Sequence, residues 1–313
     1  MKSNIEVLTH LLSDQIGYNR TERMKKYVKW NLYWNHIAKY GNANDSNDIT
    51  KDIISALNTQ EEQSKELEML EIGCGTGAYT LNFAANYKHI TAVDMSEQML
   101  CVLRQRAETK KITNITYHQS LFENLPENKQ YDFVFAAMCP AICDYESLMK
   151  FERLSKKHCC LVSVAKNSSS RLRKELRMQI TDQPLKGLSP DIIYQFHLLY
   201  ALGRYPNIRF FHSASHSVIP LEEAIERYQI YFNIFGYNRP EHHEIIRTYL
   251  STHSENGMCT DDITYIQNGR VLQSADKDTF LRSFEHLKTP EDTGPLTLEE
   301  IMLRTERDDD ITV

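Results

Sequence analysis

Leu70-Glu71-Ile72-Gly73-Cys74-Gly75-Thr76-Gly77, followed by Val93-Asp94-Met95-Ser96, decides how the rest of the chain is read. Leu67 to Ile72 is a short apolar run of strand length, and it meets three glycines within five residues. A helical pattern then resumes at Tyr79. A tight strand-to-helix turn needs backbone conformations that favour glycine, and the missing side chains let a ligand lie on the main chain. Ile90 to Val93 reads as a second strand that ends at Asp94. An acid at that point can accept hydrogen bonds from both hydroxyls of a ribose. Glu71, two residues before the first glycine, places a second carboxylate beside the loop. Ser96 is positioned to cap the next helix through Met99. The spacing Gly73-x-Gly75-x-x-Ala78 also fits the dinucleotide fingerprint, but a pyrophosphate disfavours a carboxylate such as Glu71 next to it.

Working outward, strand and helix alternate, which implies a parallel sheet. Ile115 to His118, Tyr131 to Ala137 and His158 to Ala165 supply three more strands. The last two are nearly continuous apolar runs, as expected of strands covered on both faces. Ile208 to Phe211 adds a sixth. Ile263 to Leu272 holds Asn268-Gly269 between β-forming residues and reads as a hairpin. The helical readings are Tyr79 to Tyr87, the stretch opened by Ser96, Leu221 to Phe235 and His242 to Leu250. Before the sheet, residues 3–40 read as two helices broken near Gly17-Tyr18-Asn19, and Ile49 to Leu57 as a short third. In the second helix Tyr27, Trp30, Trp34 and Ile37 share one face. Glu61 to Glu66 reads as a charged linker.

The organisation expected is an N-terminal helical cap over residues 1–60, an α/β domain over 61–275 and a helical or flexible tail over 276–313. A helical insertion at about 168–205, broken at Pro184 and Pro190, belongs to the α/β domain. The chain has 313 residues and a net charge of −6, from 36 basic and 42 acidic residues. That balance argues against a dedicated nucleic-acid binder. No stretch reaches the roughly 20 apolar residues of a membrane span, and Met1 to Glu6 lacks the apolar core of a signal peptide. The count of 7 Cys is odd and fits reduced thiols, so the expected location is the cytoplasm.

The two stretches quoted first resemble the opening motifs of class I S-adenosylmethionine-dependent methyltransferases, over roughly residues 67–165. The resemblance implies a doubly wound, mostly parallel seven-stranded sheet with helices on both faces. It implies S-adenosylmethionine as cofactor and release of S-adenosylhomocysteine. Gly73, Cys74, Gly75 and Gly77 would cradle the methionine part, with Glu71 near its amino group. Asp94 would bind the ribose, and Met95 would pack on adenine. Ser120 and Leu121 would border the adenine edge, although an Asp is common at the position of Ser120. Ala137 would face the cofactor from the fourth strand. The alternatives are an NAD-dependent oxidoreductase and a module that binds the cofactor without turnover.

Ala137 to Cys143 follows the fourth strand and should face the transferring methyl. It departs from the Asn-Pro-Pro-Tyr motif of methyltransferases acting on base amines: Cys139 stands for Asn, Ala141 for the second Pro and Ile142 for the aromatic. The acceptor expected is a small molecule, with RNA or protein as the alternative. Cys139, His36 and Tyr33 are the catalytic candidates. His212, His216, His242 and His243 are further titratable groups that no spacing singles out. Cys139, Cys143, Cys159 and Cys160 lack zinc-ligand spacing and read as core, so no metal is expected. Arg171, Arg173, Lys174 and Arg177 form a basic cluster after Ser168-Ser169-Ser170. It reads as a solvated helix face or as a receiver of an anionic substrate or RNA.

Overall fold

The computed structural model describes residues 9, 20–40, 48–58, 65–164, 169–182, 192–204 and 206–272. The first N-terminal helix, most of the charged linker, Pro184, Pro190, the tail from 276 and the side chains of His212 and His216 lie outside the described residues.

β1 (Glu68–Ile72) pairs in parallel with β2 (His89–Asp94) and β4 (Tyr131–Ala137). β2 pairs with β3 (Ile115–Gln119), and β4 with β5 (Ser155–Val164), again in parallel. β9 (Met258–Leu272) then runs antiparallel between β5 and β7 (Arg209–Pro220). Two short strands, β6 (Ser169–Ser170) and β8 (Ser254–Glu255), also pair with β9. The principal order β3-β2-β1-β4-β5-β9-β7 is a mostly parallel sheet seven strands wide.

Alternate residues of the central strands enter opposite cores, because side chains switch face at every step along a strand. Leu70, Ile72, Val134, Ala136, Cys159 and Leu161 pack on one side. There they meet α6 (Tyr145–Arg153) and α8 (Ile192–Ala201) through Leu148, Phe151, Ile192, Phe196 and Leu199. Met69, Ala92, Phe133, Phe135, Cys160 and Val162 pack on the other. Their cover is α3 (Asp48–Asn58), α4 (Thr80–Phe83) and α5 (Glu97–Thr109), through Ile53, Phe83, Leu100 and Leu103. Burial on both faces is why these strands read as continuous apolar runs.

A third core is mainly helical, with Ile219 of β7 and Cys259 of β9 at its edge. It joins α2 (Tyr27–Tyr40), α7 (Arg171–Thr181), α9 (Leu221–Ile234) and α10 (Pro240–Thr252). Trp30, Tyr33, Leu172, Leu176, Tyr231 and Phe232 meet there, together with Met99 of α5. Arg20–Lys25 forms α1, ahead of α2.

Three expectations change. Residues 263–272 are not a hairpin: Asn268 and Gly269 sit mid-strand in β9, each paired with β5 on one side and β7 on the other. The Asn-Gly hairpin turn is Asn256-Gly257, with φ of 53° and 73°, joining β8 to β9 through the pair Glu255 and Met258. Both central residues of such a turn need positive φ, which Asn and Gly tolerate best. The helix read over 79–87 shrinks to Thr80–Phe83, and the strand read over 208–211 extends to Pro220.

Candidate functional site

The glycine loop leaves the carboxyl end of β1 and is tied at once to β2. The N–H groups of Gly73 and Cys74 both donate to the Val93 carbonyl, at 2.8 and 3.1 Å. Gly73, Gly75 and Gly77 hold φ of 71°, 54° and 91°, which side-chain-bearing residues rarely adopt. Their surroundings differ. A Cβ on Gly73 would stand 2.7 Å from Cys139 Sγ, and one on Gly77 would stand 2.2 Å from Leu103 Cδ1. A Cβ on Gly75 would meet nothing within 4 Å. Two glycines therefore serve the protein's own packing, and the middle one opens a cradle on the backbone.

Asp94 closes that cradle. Its Oδ2 accepts the Gly75 N–H at 2.9 Å, and its Oδ1 accepts the Ser96 N–H at 2.9 Å. Burial raises the Asp94 carboxyl above its ordinary range, and the N–H groups of Ser96, Gly75 and Met95 oppose that rise. Each carboxylate oxygen keeps a further lone pair for a ligand hydroxyl. Ser96 Oγ accepts the Met99 N–H at 3.1 Å, the N-cap of α5. It also donates to Asn35 Oδ1 of α2 at 2.6 Å. The N-terminal helix is thus fastened to the turn that carries Asp94. Asn35 escapes sequence reasoning because its partner lies far along the chain and follows no local pattern.

Glu71 is 1% exposed and accepts the Thr80 hydroxyl at 2.6 Å. Burial lifts its carboxyl to about 8; the Thr80 hydrogen bond opposes this and the nearby Asp94 adds to it. Burial first, then Asp94, pushes the Cys74 thiol well up, so it stays protonated inside the core. Met95 is half-buried against the helical third core. Ser120 gives its N–H to the Asp94 carbonyl at 3.0 Å and its hydroxyl to the Leu121 carbonyl at 2.8 Å. Leu121 is half-buried, as is Ala137 at the end of β4.

Beyond β4 the chain turns sharply. Met138 has φ 52°, a left-handed conformation for a side-chain-bearing residue, with its N–H on the Val162 carbonyl at 2.8 Å. This turn brings Cys139 against Gly73. The Ile142 N–H closes back on the Cys139 carbonyl at 3.3 Å. Gln195 of α8, 1% exposed, donates to the Ile142 carbonyl at 3.0 Å. The helical insertion therefore grips the segment after β4, another link without a sequence signal.

Of the three catalytic candidates, Cys139 adjoins the glycine loop. Tyr33 is buried in an aromatic group with Trp34 and Tyr231, at ring distances of 5.1 and 5.7 Å. His36 is 6% exposed, with Nδ1 3.6 Å from Glu226 of α9. Burial holds its imidazole below the ordinary value, against the raising effect of Glu226. His242 accepts the Arg239 N–H at 3.2 Å and caps α10. Cys143, Cys159 and Cys160 are buried in the apolar cores. Among the described residues no three His, Cys, Asp or Glu side chains are grouped to hold a metal. Nor is any described helix long and apolar enough to cross a membrane.

Residues 69–157 match the family model described as a methyltransferase domain. The chain is 30% identical over 96 residues to malonyl-[acyl-carrier protein] O-methyltransferase of Bacillus cereus, covering 30% of this chain and 35% of that protein. It is 27% identical over 120 residues to ubiquinone biosynthesis O-methyltransferase of Rickettsia bellii, covering 38% and 49%. It thus spans between a third and a half of the length of these two relatives. Among solved structures, coclaurine N-methyltransferase bound to N-methylheliamine and SAH superposes with a TM-score of 0.46 at 13% identity, over 87% of each chain.

Proposed function

We propose that this chain, whose residues 69–157 match the methyltransferase-domain family model, is a class I S-adenosylmethionine-dependent methyltransferase that transfers the cofactor's methyl group to a small-molecule acceptor. The observation that carries the reading is the pairing of Asp94 with the open face of Gly75: an anchored carboxylate beside bare backbone. That donor set fits a ribose and the chain attached to it. Glu71, Gly73, Cys74, Gly75 and Gly77 are the proposed methionine end of the site. Asp94, Met95, Ser120 and Leu121 are the proposed nucleoside end, and Ala137 borders the sulfur.

The cofactor supplies an electrophilic methyl on a sulfonium sulfur, which an acceptor lone pair displaces while the carbon–sulfur electron pair returns to sulfur. The chain's part is to bind, orient and exclude water. Asp94 fixes the ribose. Glu71 gives a cationic amino group a carboxylate partner, and that partnership favours its ionised form. The Met138 turn and the segment after it, held by Gln195 at the Ile142 carbonyl, form the proposed wall at which the acceptor lies. Holding two reactants in line supplies much of the rate in such a displacement.

The acceptor is read as small because α2 and α7 to α9 add helical cover around the sheet, and because the chain is acidic overall. We assign the enzyme to the cytoplasm, where seven cysteines that are all thiols would be maintained. The division into a cap (1–60), a methyltransferase domain (61–275) and a tail (276–313) remains part of this proposal.

Calorimetric titration with S-adenosylhomocysteine tests the cofactor assignment. Saturable binding is expected. Asp94→Ala should weaken it roughly a hundredfold, since two charge-assisted hydrogen bonds are lost at about 1.5 kcal/mol each. Saturable binding of NADH with none of S-adenosylhomocysteine would move the site to hydride chemistry.

A further inference from the structure

Among the described residues seven large apolar side chains are exposed, and four of them, Tyr27, Val28, Leu32 and Tyr40, lie on α2. Single exposed apolar residues are ordinary, but four on one helix of 14 residues mark a surface that meets something. The inner face of α2 is already used: Trp30, Tyr33 and Ile37 are buried in the third core. Val28 and Leu32 stand on the far side, 54% and 56% exposed. They are four residues apart and therefore share one stripe. Asn35 and Lys39 continue that stripe, with Lys39 exposed. A helix that is apolar on two sides has one side without a partner in its own fold.

Charge gathers at the same place. The chain carries a net charge of −6, yet Arg20 to Tyr40 holds six Arg and Lys against one acid, Glu22. Lys25, which ends α1, is exposed like Lys39. Lys29 donates to the Asn233 carbonyl at 2.9 Å, a neutral partner that leaves its charge in place. Lys39 Nζ lies 4.8 Å over the Tyr40 ring. The acid Glu226 stands on the α9 side, engaged with His36 and the Tyr40 hydroxyl. A segment this basic in an acidic chain turns one face of the molecule toward an anionic partner.

A helix lying in the plane of a membrane surface needs aliphatic side chains at its crest, lysines that reach back to the headgroups, and Tyr or Trp at the boundary. Here Val28 and Leu32 form the crest, Lys25 and Lys39 flank it, and Tyr27 and Tyr40 sit at the two ends of α2. We propose that α1 and α2 form a docking surface for a bilayer of anionic phospholipid, on which the chain rests peripherally. At 14 residues α2 is too short to cross a bilayer, so it lies on the surface. Asn35, on the same stripe, holds Ser96. The docked face is therefore one helix away from the turn that carries Asp94.

Co-sedimentation of the full chain with vesicles tests this surface. Vesicles of phosphatidylcholine and phosphatidylserine in equal parts should carry the chain down, and vesicles of phosphatidylcholine alone should not. Salt at about 1 M, which screens charges beyond roughly 3 Å, should release it. Val28→Gln combined with Leu32→Gln changes two exposed positions and should weaken binding about tenfold or more, the loss of two partly buried aliphatic side chains. Lys25→Gln combined with Lys39→Gln should also weaken it about tenfold or more, as each lysine near an anionic surface contributes about fivefold. S-adenosylhomocysteine affinity should not change in either pair. Sedimentation no greater than without vesicles overturns the proposal, as does equal binding to the two vesicle types. So does binding that either pair of substitutions leaves intact, or a loss of S-adenosylhomocysteine affinity in step with vesicle binding, which would mark these side chains as packing residues. Retention on immobilised polyglutamate with no binding to vesicles overturns the membrane in favour of an acidic protein.

Discussion

A methyl group added at Gly73 and one added at Gly75 meet opposite surroundings, although both residues hold positive φ. Gly73→Ala drives its new carbon into Cys139 and should cost several kcal/mol of stability, as clash adds to the left-handed penalty. Gly75→Ala carries only that penalty, about 1–2 kcal/mol, but fills the cradle. Thermal melts with S-adenosylhomocysteine titrations separate them: Gly75→Ala should stay folded and lose the cofactor, while Gly73→Ala should lose both. Glu71 supplies a pH signature. With its carboxyl at about 8 when folded and near 4.3 when unfolded, the native state holds the proton more tightly. The stability it confers is complete below the unfolded value and is lost as pH rises through 8. Glu71→Gln should flatten that fall in denaturation midpoints measured from pH 5 to 9. Cofactor affinity of the wild-type chain should strengthen over the same rise, as the carboxylate ionises. Asp94 and the Ser96 cap were legible because each sits at a fixed offset from the glycines. Asn35, Thr80 and Gln195 were not, since a hydrogen bond between distant segments leaves no mark on either one.

Among the elements, α7 is held at its start by a buried polar knot. Asp261 Oδ2 accepts the hydroxyls of Ser170 and Tyr228 at 2.6 and 2.8 Å, and Oδ1 accepts the Leu172 N–H at 3.0 Å. Ser170 Oγ also caps the helix through the Arg173 N–H. Asp261→Ala removes the acceptor of three donors, of which the Ser170 and Tyr228 hydroxyls still lie 3.2 Å apart and can pair, and should cost about 3 kcal/mol in chemical denaturation. Asp261→Asn preserves an acceptor for Leu172 and should cost less. The Ser170 cap could be read from sequence, while its anchor on β9 could not. The two Asn-Gly pairs show the same boundary. Both satisfy the local chemistry of a hairpin, and pairing partners on either side keep Asn268-Gly269 extended. Glu255 and Met258 flank the pair that turns. Local propensity offers the turn, and the sheet decides where to take it.

Across the whole molecule, the alternation of strand and helix was enough to foresee the parallel sheet, because its central strands β1, β4 and β5 are apolar on both faces. The helical third core was hidden. Its members come from both ends of the described chain, and the aromatic stripe of α2 names no partner by itself. Its contacts place Tyr33 and His36 against α9, which sequence spacing had left open as catalytic candidates. One arrangement also bears on how the protein is made. β9 lies between β5 and β7 and is the last of the three to be translated. Until it leaves the ribosome, β5 and β7 each present an unpaired edge of backbone donors and acceptors, the kind of template that recruits strands from other chains. The knot at Asp261 also cannot close before then. A nascent chain stalled ahead of Met258 is therefore a sticky intermediate and a natural client for chaperones that shield exposed edges.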